Sequence, residues 1–407
     1  MNTSVAALRH RRGTGLLASA RPSERSVRRR VGIAWGLLVL NALTYYGSAL
    51  HIPSALGKAT TQGALPAALI VALSVNRKGI IRPNVFLCLV TLLAFEALIT
   101  SLQPQHIGTV YRTFRLAESV AALWLLSPWW GRRDLLLVRC HLVSLSVVLG
   151  SVILGVLIFP GYALGGGRLG GVLWDVPATE VGHYAAVTIG LAVVLWFGGL
   201  LRGKATLIAV AINGVVLILT HTRTALIALV AALLVAGLSL VIVRARVRRF
   251  IATTTIIVSI VVVAAAGVIT NWLARGQDAQ QLASLTGRTD FWTLVLNLPR
   301  TKFQVFFGFG LSNGSVNGLP IDSNWLVAYL QQGLFGVIVC AAMLLFLLVV
   351  AFFRPPSIER ALALFLITYC LVASFTQVGF ATVSIYLLEL TLAASLLVPS
   401  FAERRLE

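Results

Sequence analysis

Charge is what this sequence has least of. Only 11% of its 407 residues are Asp, Glu, Lys or Arg, and acidic residues number 13 against 33 basic ones. A soluble domain carries about 25% charged residues, so the water-soluble globular class is excluded. Cysteine is scarce as well. Cys88, Cys140, Cys340 and Cys370 stand in apolar runs or at their ends without a C-x-x-C spacing, which excludes a disulfide framework and a cysteine-based metal site. There is no G-x-x-x-x-G-K-[ST] loop and no H-E-x-x-H pair, so ATP-driven transport and zinc hydrolysis lack their usual signatures.

What the chain does have is apolar length. Hydrophobic residues make up 58% of it and the mean hydropathy is +0.90, values that belong to a polytopic membrane protein. A bilayer core needs roughly 20 apolar residues per helix. On that ruler the sequence predicts an all-α integral membrane protein of about twelve spans, near 31–50, 62–76, 84–102, 114–130, 137–159, 181–200, 205–220, 224–243, 251–270, 324–352, 361–379 and 381–400. The expected organisation is a basic cytoplasmic tail (1–30), nine spans (31–270), a long extracytoplasmic loop with short interfacial helices (271–323), three spans (324–400) and a short tail (401–407). A net charge of +20 would suit nucleic acid only if clustered on one face of a soluble fold; here the basic residues punctuate apolar runs, and no nucleic-acid partner is expected.

Basic residues in short loops resist translocation, so they orient the chain. With the N-terminus in the cytoplasm, Arg77-Lys78, Arg132-Arg133, Arg202, Lys204, Arg244 to Arg249, Arg354, Arg360 and Arg404-Arg405 all fall inside, and both termini are cytoplasmic. Lys58, Arg112, Arg115, Arg168, Arg223, Arg275, Arg288, Arg300 and Lys302 remain outside. Three of these sit in distinctive settings. Arg168 lies in a Gly-rich loop, Gly165 to Gly171, that leads through Asp175, Pro177 and Glu180 to Gly182-His183-Tyr184. Arg223 is flanked by hydroxyls in Thr220-His221-Thr222-Arg223-Thr224, a polar run too short to leave the membrane surface. Arg288 opens an amphipathic stretch that runs through Phe291 and Trp292 to Pro299, after which Gly308-Phe309-Gly310 and Asn313 to Pro320 return the chain to Asp322 at the mouth of the tenth span.

Three guanidinium groups converging from separate loops suit a polyanion at the membrane surface, and a diphosphate fits without a metal or other cofactor. These residues resemble the bacterial O-antigen ligase and polymerase superfamily of membrane glycosyltransferases. Four landmarks between Arg168 and Gly336 carry the resemblance: Arg168 with Pro177 and Gly182-His-Tyr, Thr222-Arg223-Thr224, Gly287-Arg288 with Trp292 and Gly308-Phe-Gly310, and Asp322-Ser323 with Gly333-Leu-Phe-Gly336. One departure stands out: Asp322 occupies the place where the ligases usually carry His. The resemblance implies transfer of a glycan from a polyprenyl-diphosphate donor to a glycan, lipid or protein-anchor acceptor, on the outer side of a bacterial plasma membrane. On that reading Arg168, Arg223 and Arg288 hold the diphosphate and Asp322 is the first choice of base, with His221, Glu180 and His183 behind it. Glu96, Glu118 and Glu389 lie within spans and keep a proton-coupled flippase or exporter of lipid-linked saccharide open as an alternative.

Overall fold

The protein is seen in a computed structural model that describes residues 22–43, 47–48, 52–102, 107–132, 134–241, 247–250, 253, 288–312, 314–316 and 319–399. Its helices are α1 (Pro22–Ala42), α2 (Ser54–Val75), α3 (Val85–Ser101), α4 (Ile107–Leu126), α5 (Leu136–Ile158), the single turn α6 (Pro160–Ala163), α7 (Ala178–Phe197), α8 (Gly203–Leu219) and α9 (Arg223–Val241). After the loop come α10 (Arg288–Leu296), α11 (Lys302–Phe307), α12 (Asn324–Phe353), α13 (Ile358–Ala373) and α14 (Ile385–Leu397). A two-residue antiparallel pair, Ser315–Val316 with Leu319–Pro320, is the one sheet among the described residues.

Every expected apolar run except 251–270 overlaps a helix. That run apart from residue 253, the first part of the loop (271–287), most of the N-terminal tail and the C-terminal tail lie outside the described residues. Helices α2, α5, α7, α9 and α12 are each long and apolar enough to cross a bilayer, and α3, α8 and α14 are apolar but shorter. The surface agrees. Ile70, Phe95, Val147, Ile208, Ile338 and Phe352 stand exposed around the bundle, a display of large apolar side chains that water would penalise and lipid does not. The protein is a helical membrane protein.

Hydropathy alone misplaces some helix starts. Helix α1 begins nine residues before the apolar run, so Arg25 to Arg30 ride on helix instead of trailing as a tail. Glu24 in its first turn bonds Arg28 one turn on, at 2.9 Å, and Arg132 at 3.2 Å, while Asp134 reaches Arg132 at 3.1 Å. Helix α2 likewise starts at Ser54, because Lys58, Thr60 and Thr61 are polar yet helical, and the Thr hydroxyls bond back to the preceding turn.

Two helices form the centre. All of α14 is buried against α13, α12, α1 and α3, and most of α7 is buried against α8, α9, α5 and α13. Packing around them uses small residues where helices must approach closely. Ala225, Ala228, Ala232 and Ala236 line the face of α9 that meets α13, with the three- and four-residue steps of a helix stripe. The starts of α7, α9, α12 and α14 lie at one end of the bundle, which is rich in loops, and the starts of α1, α3, α5 and α13 at the other.

Candidate active site

The loop-rich end is organised around the turn from α8 into α9. Thr220 and Thr222 are buried there, and His221 between them takes a left-handed backbone with φ 50°, a conformation that costs a non-glycine residue energy. The turn seats on α7. Thr222 Oγ1 donates to Ala178 O at 3.3 Å, and an added Cβ on Gly182 would come within 2.8 Å of both threonine hydroxyls. Glycine in Gly182-His-Tyr is thus required by close approach. Arg168 closes the turn from the other side: its Nε donates to Thr220 O at 3.0 Å, its Nη2 to Thr222 Oγ1 at 3.4 Å, and Leu169 N to Leu219 O at 3.0 Å. Burial draws the Arg168 guanidinium pKa down, though an arginine starts high enough to stay a cation. Arg168 and Arg223 are therefore brought to one turn.

The segment between α13 and α14 joins this turn to the start of α12. Thr376 Oγ1 donates to Thr224 Oγ1 at 2.9 Å, next to Arg223. From the same segment Gly379 N and Phe380 N donate to Asn324 Oδ1, and Ser374 O accepts from Asn324 N at 2.9 Å. Asp322 is exposed two residues before Asn324, ahead of the N-cap Ser323. Arg288 is the first residue of α10, which packs on the opening turns of α12 through Val295, Ile321, Val327 and Leu330. Arg300 is committed to structure. It donates to Tyr329 O and Val295 O at 3.1 Å each and lies over the Tyr329 ring.

The two glycine landmarks in this region are one device. Gly333 (φ 62°, ψ −159°) breaks α12, and a broken helix leaves carbonyls of the preceding turn in need of donors. Phe309 N and Gly310 N supply them, donating to Leu330 O and Gln331 O at 2.8 Å each. A Cβ on Gly308 would overlap the Gln331–Gln332 backbone, and one on Gly333 would overlap that of Phe306–Phe307. The loop thus lies backbone to backbone on the broken helix. Beside it opens a cavity of about 270 Å³ bounded by Arg112 and Arg115 of α4, Ser312 and Gly314 of the loop, Gln331 of α12, and Val378, Thr382 and Val383.

The fallback bases fare differently. His221 stays on the turn, and Glu180 sits in the first turn of α7, accepting from Tyr184 Oη at 2.9 Å. His183 is not at this site. It is buried in the core, with Nε2 at 2.9 Å from Glu389 Oε1 and its ring against Tyr184, Tyr369 and Tyr386. His141 lies on the same carboxylate oxygen at 3.7 Å and accepts from Trp35 Nε1 at 3.4 Å; Cys370 Sγ donates to Glu389 Oε2 at 3.5 Å. Among the described residues no three His, Cys, Asp or Glu side chains are arranged to hold a metal ion. Sequence reading did not single out Arg112, Arg115 or Gln331. Paired amides, Gln331-Gln332, in an otherwise apolar run were the available signal. Comparison with known proteins brings no family model and no curated relative that matches this chain.

Proposed function

We propose that this protein is a membrane glycosyltransferase that moves a glycan from a polyprenyl-diphosphate carrier to an acceptor hydroxyl at the extracytoplasmic surface of a bacterial plasma membrane. The reading includes a twelve-span arrangement with both termini cytoplasmic, which puts the loop-rich end outside. The observation that carries it is the pair of hydrogen bonds from Arg168 to Thr220 and Thr222, which seats two cations 55 positions apart beside one turn. In the reaction the bond from the anomeric carbon to the diphosphate oxygen breaks as the acceptor oxygen bonds to that carbon. Arg168, Arg223 and Arg288 take up the charge left on the departing diphosphate, and the carboxylate of Asp322 accepts the acceptor's proton. Glu180 and His221 stand next in line as base.

The test is reconstitution in membranes without any ion gradient, with a polyprenyl-diphosphate saccharide and an acceptor. Product is expected. Arg223→Ala should lower turnover about 10²–10³-fold, the scale for losing one preorganised charge-stabilising group, and Asp322→Asn about 10²–10⁴-fold, the scale for losing a general base. A single transfer marks a ligase and lengthening chains a polymerase. Donor carried across a sealed vesicle under a proton gradient, with no glycosidic product, would overturn the reading in favour of an exporter.

A further inference from the structure

The cavity beside α4 has the makings of a second polar site, separate from the Arg168–Arg223 turn. Arg112 and Arg115 are one helical step apart and both line it, so two like charges share one wall. Arg115 is fixed in place by an amide: its Nη2 donates to Asn41 Oδ1 at 2.9 Å, and Asn41 Nδ2 donates in turn to Thr61 O at 2.7 Å. No carboxylate among the described residues lies within ion-pair distance of Arg115. Opposite stands Gln331, 1% exposed, whose Nε2 donates to Ser312 O at 3.0 Å. Its Oε1 is buried with no hydrogen-bond donor among the described residues. A buried amide oxygen is costly to leave unpaired, and it can be satisfied only by a group that brings a donor. Paired guanidiniums ask for an anion, and the Gln331 oxygen asks for a hydroxyl. The volume sits just below the usual range of ligand pockets, about 300–1,000 Å³.

We propose that this cavity binds a phosphate ester flanked by hydroxyl groups, Arg112 and Arg115 taking the phosphate and Gln331 Oε1 accepting from a hydroxyl. A saccharide-diphosphate donor and a polyhydroxylated phospholipid headgroup present the same chemistry.

The assignment is tested on the full chain in phosphatidylcholine nanodiscs, titrated with glucose 1-phosphate and, for comparison, inorganic phosphate. Saturable binding that favours the sugar phosphate is expected. Arg112→Gln should weaken it about tenfold or more, as expected for losing a charge-assisted contact. Gln331→Met should erase the preference over inorganic phosphate while leaving some phosphate binding. Displacement of the probe by phosphatidylglycerol assigns the headgroup source; displacement by polyprenyl-diphosphate saccharide alone assigns the donor. Arg223→Ala should remove at most the probe bound at the Arg168–Arg223 turn and leave the share that Arg112→Gln and Gln331→Met weaken, so failure of glycosyl transfer and failure of this site are read separately. The proposal is overturned by the absence of saturable binding. It is equally overturned if Gln331→Met, at unchanged melting temperature, keeps the sugar-phosphate preference.

Discussion

Two clusters of ionisable side chains lie in the same bundle, and they are finished in opposite ways. In the interior, Glu389 is enclosed by His183, His141 and Cys370, on helices from different parts of the chain. At the loop-rich end, arginines gather around hydroxyls, backbone carbonyls and amides: Arg168 on the threonine turn, Arg115 on Asn41. A carboxylate closed in by imidazoles has its charge answered within the protein and serves packing. Guanidiniums held by neutral acceptors keep a net positive field, which is what an incoming anion needs. On the proposed function, the difference is that between charge that serves packing and charge that meets a ligand.

The largest test of that contrast is Glu389→Ala. Removing one partner of a buried pair leaves the others desolvated and unanswered, at a cost of about 3–5 kcal/mol. The variant should show a large drop in melting temperature in detergent or a collapse of the monodisperse peak on size exclusion. Replacing Glu389, His183 and His141 together by leucine should recover much of the loss, since apolar replacement of a whole buried cluster is often neutral or better. No such rescue is expected for Arg223, whose removal, on the proposed function, should cost turnover more than melting temperature. If Glu389→Ala melts like the parent, the interior cluster is not a structural element and its proton chemistry moves to the front.

A smaller effect probes the outer cluster by shape alone. Gly182→Ala forces a methyl group against the hydroxyls of Thr220 and Thr222, overpacking of a kind that costs about 1–3 kcal/mol, and it should shift the turn that carries Arg223. Turnover should fall with every charge still present. Gly214→Ala, in the half of α8 nearer the turn, where an added Cβ meets nothing within 4 Å, is the control and should gain about 1 kcal/mol from helix propensity. Equal behaviour of the two variants would remove the close seating of the turn from the account.

These particulars also show what could be read from residues in a row. Apolar runs gave helices, because a helix in lipid must bury its own backbone groups whatever it packs against. Helix ends were read less well where polar residues such as Lys58 and Thr61 continue a helix beyond the apolar stretch. Gly308-Phe309-Gly310 was legible as part of the return to the membrane and Gly333 as a landmark, yet not as one joint between Gly308 and Gly333. His183 was misplaced for a geometric reason. It adjoins Gly182 in sequence, but successive helix positions turn by about 100°, so Gly182 meets the threonine turn while His183 meets Glu389. Arg112, Arg115 and Gln331 form a site only once a loop, two helices and the segment after α13 are brought together.

The weakest effect comes from a third cluster, closed like the interior one but open to water. At the tail end Glu24 lies between Arg28 and Arg132, and their hydrogen bonds, that of Arg28 foremost, hold its carboxyl below the ordinary glutamate value. A carboxyl whose pKa is lowered by folding stabilises the fold above its unfolded value, about 4.3, and that contribution fades as pH falls through the lower folded value. The parent protein should therefore lose melting temperature more steeply than Glu24→Gln between neutral and acid pH. High salt should narrow the gap, because water and ions screen exposed pairs. Turnover should be unchanged, since Glu24 is at the opposite end of the bundle from Arg223. Parallel pH profiles would show that a solvent-open ion cluster contributes nothing here, which would sharpen the first comparison: of the charged clusters, only one shut away from water, as at Glu389, would then be costly to leave half removed.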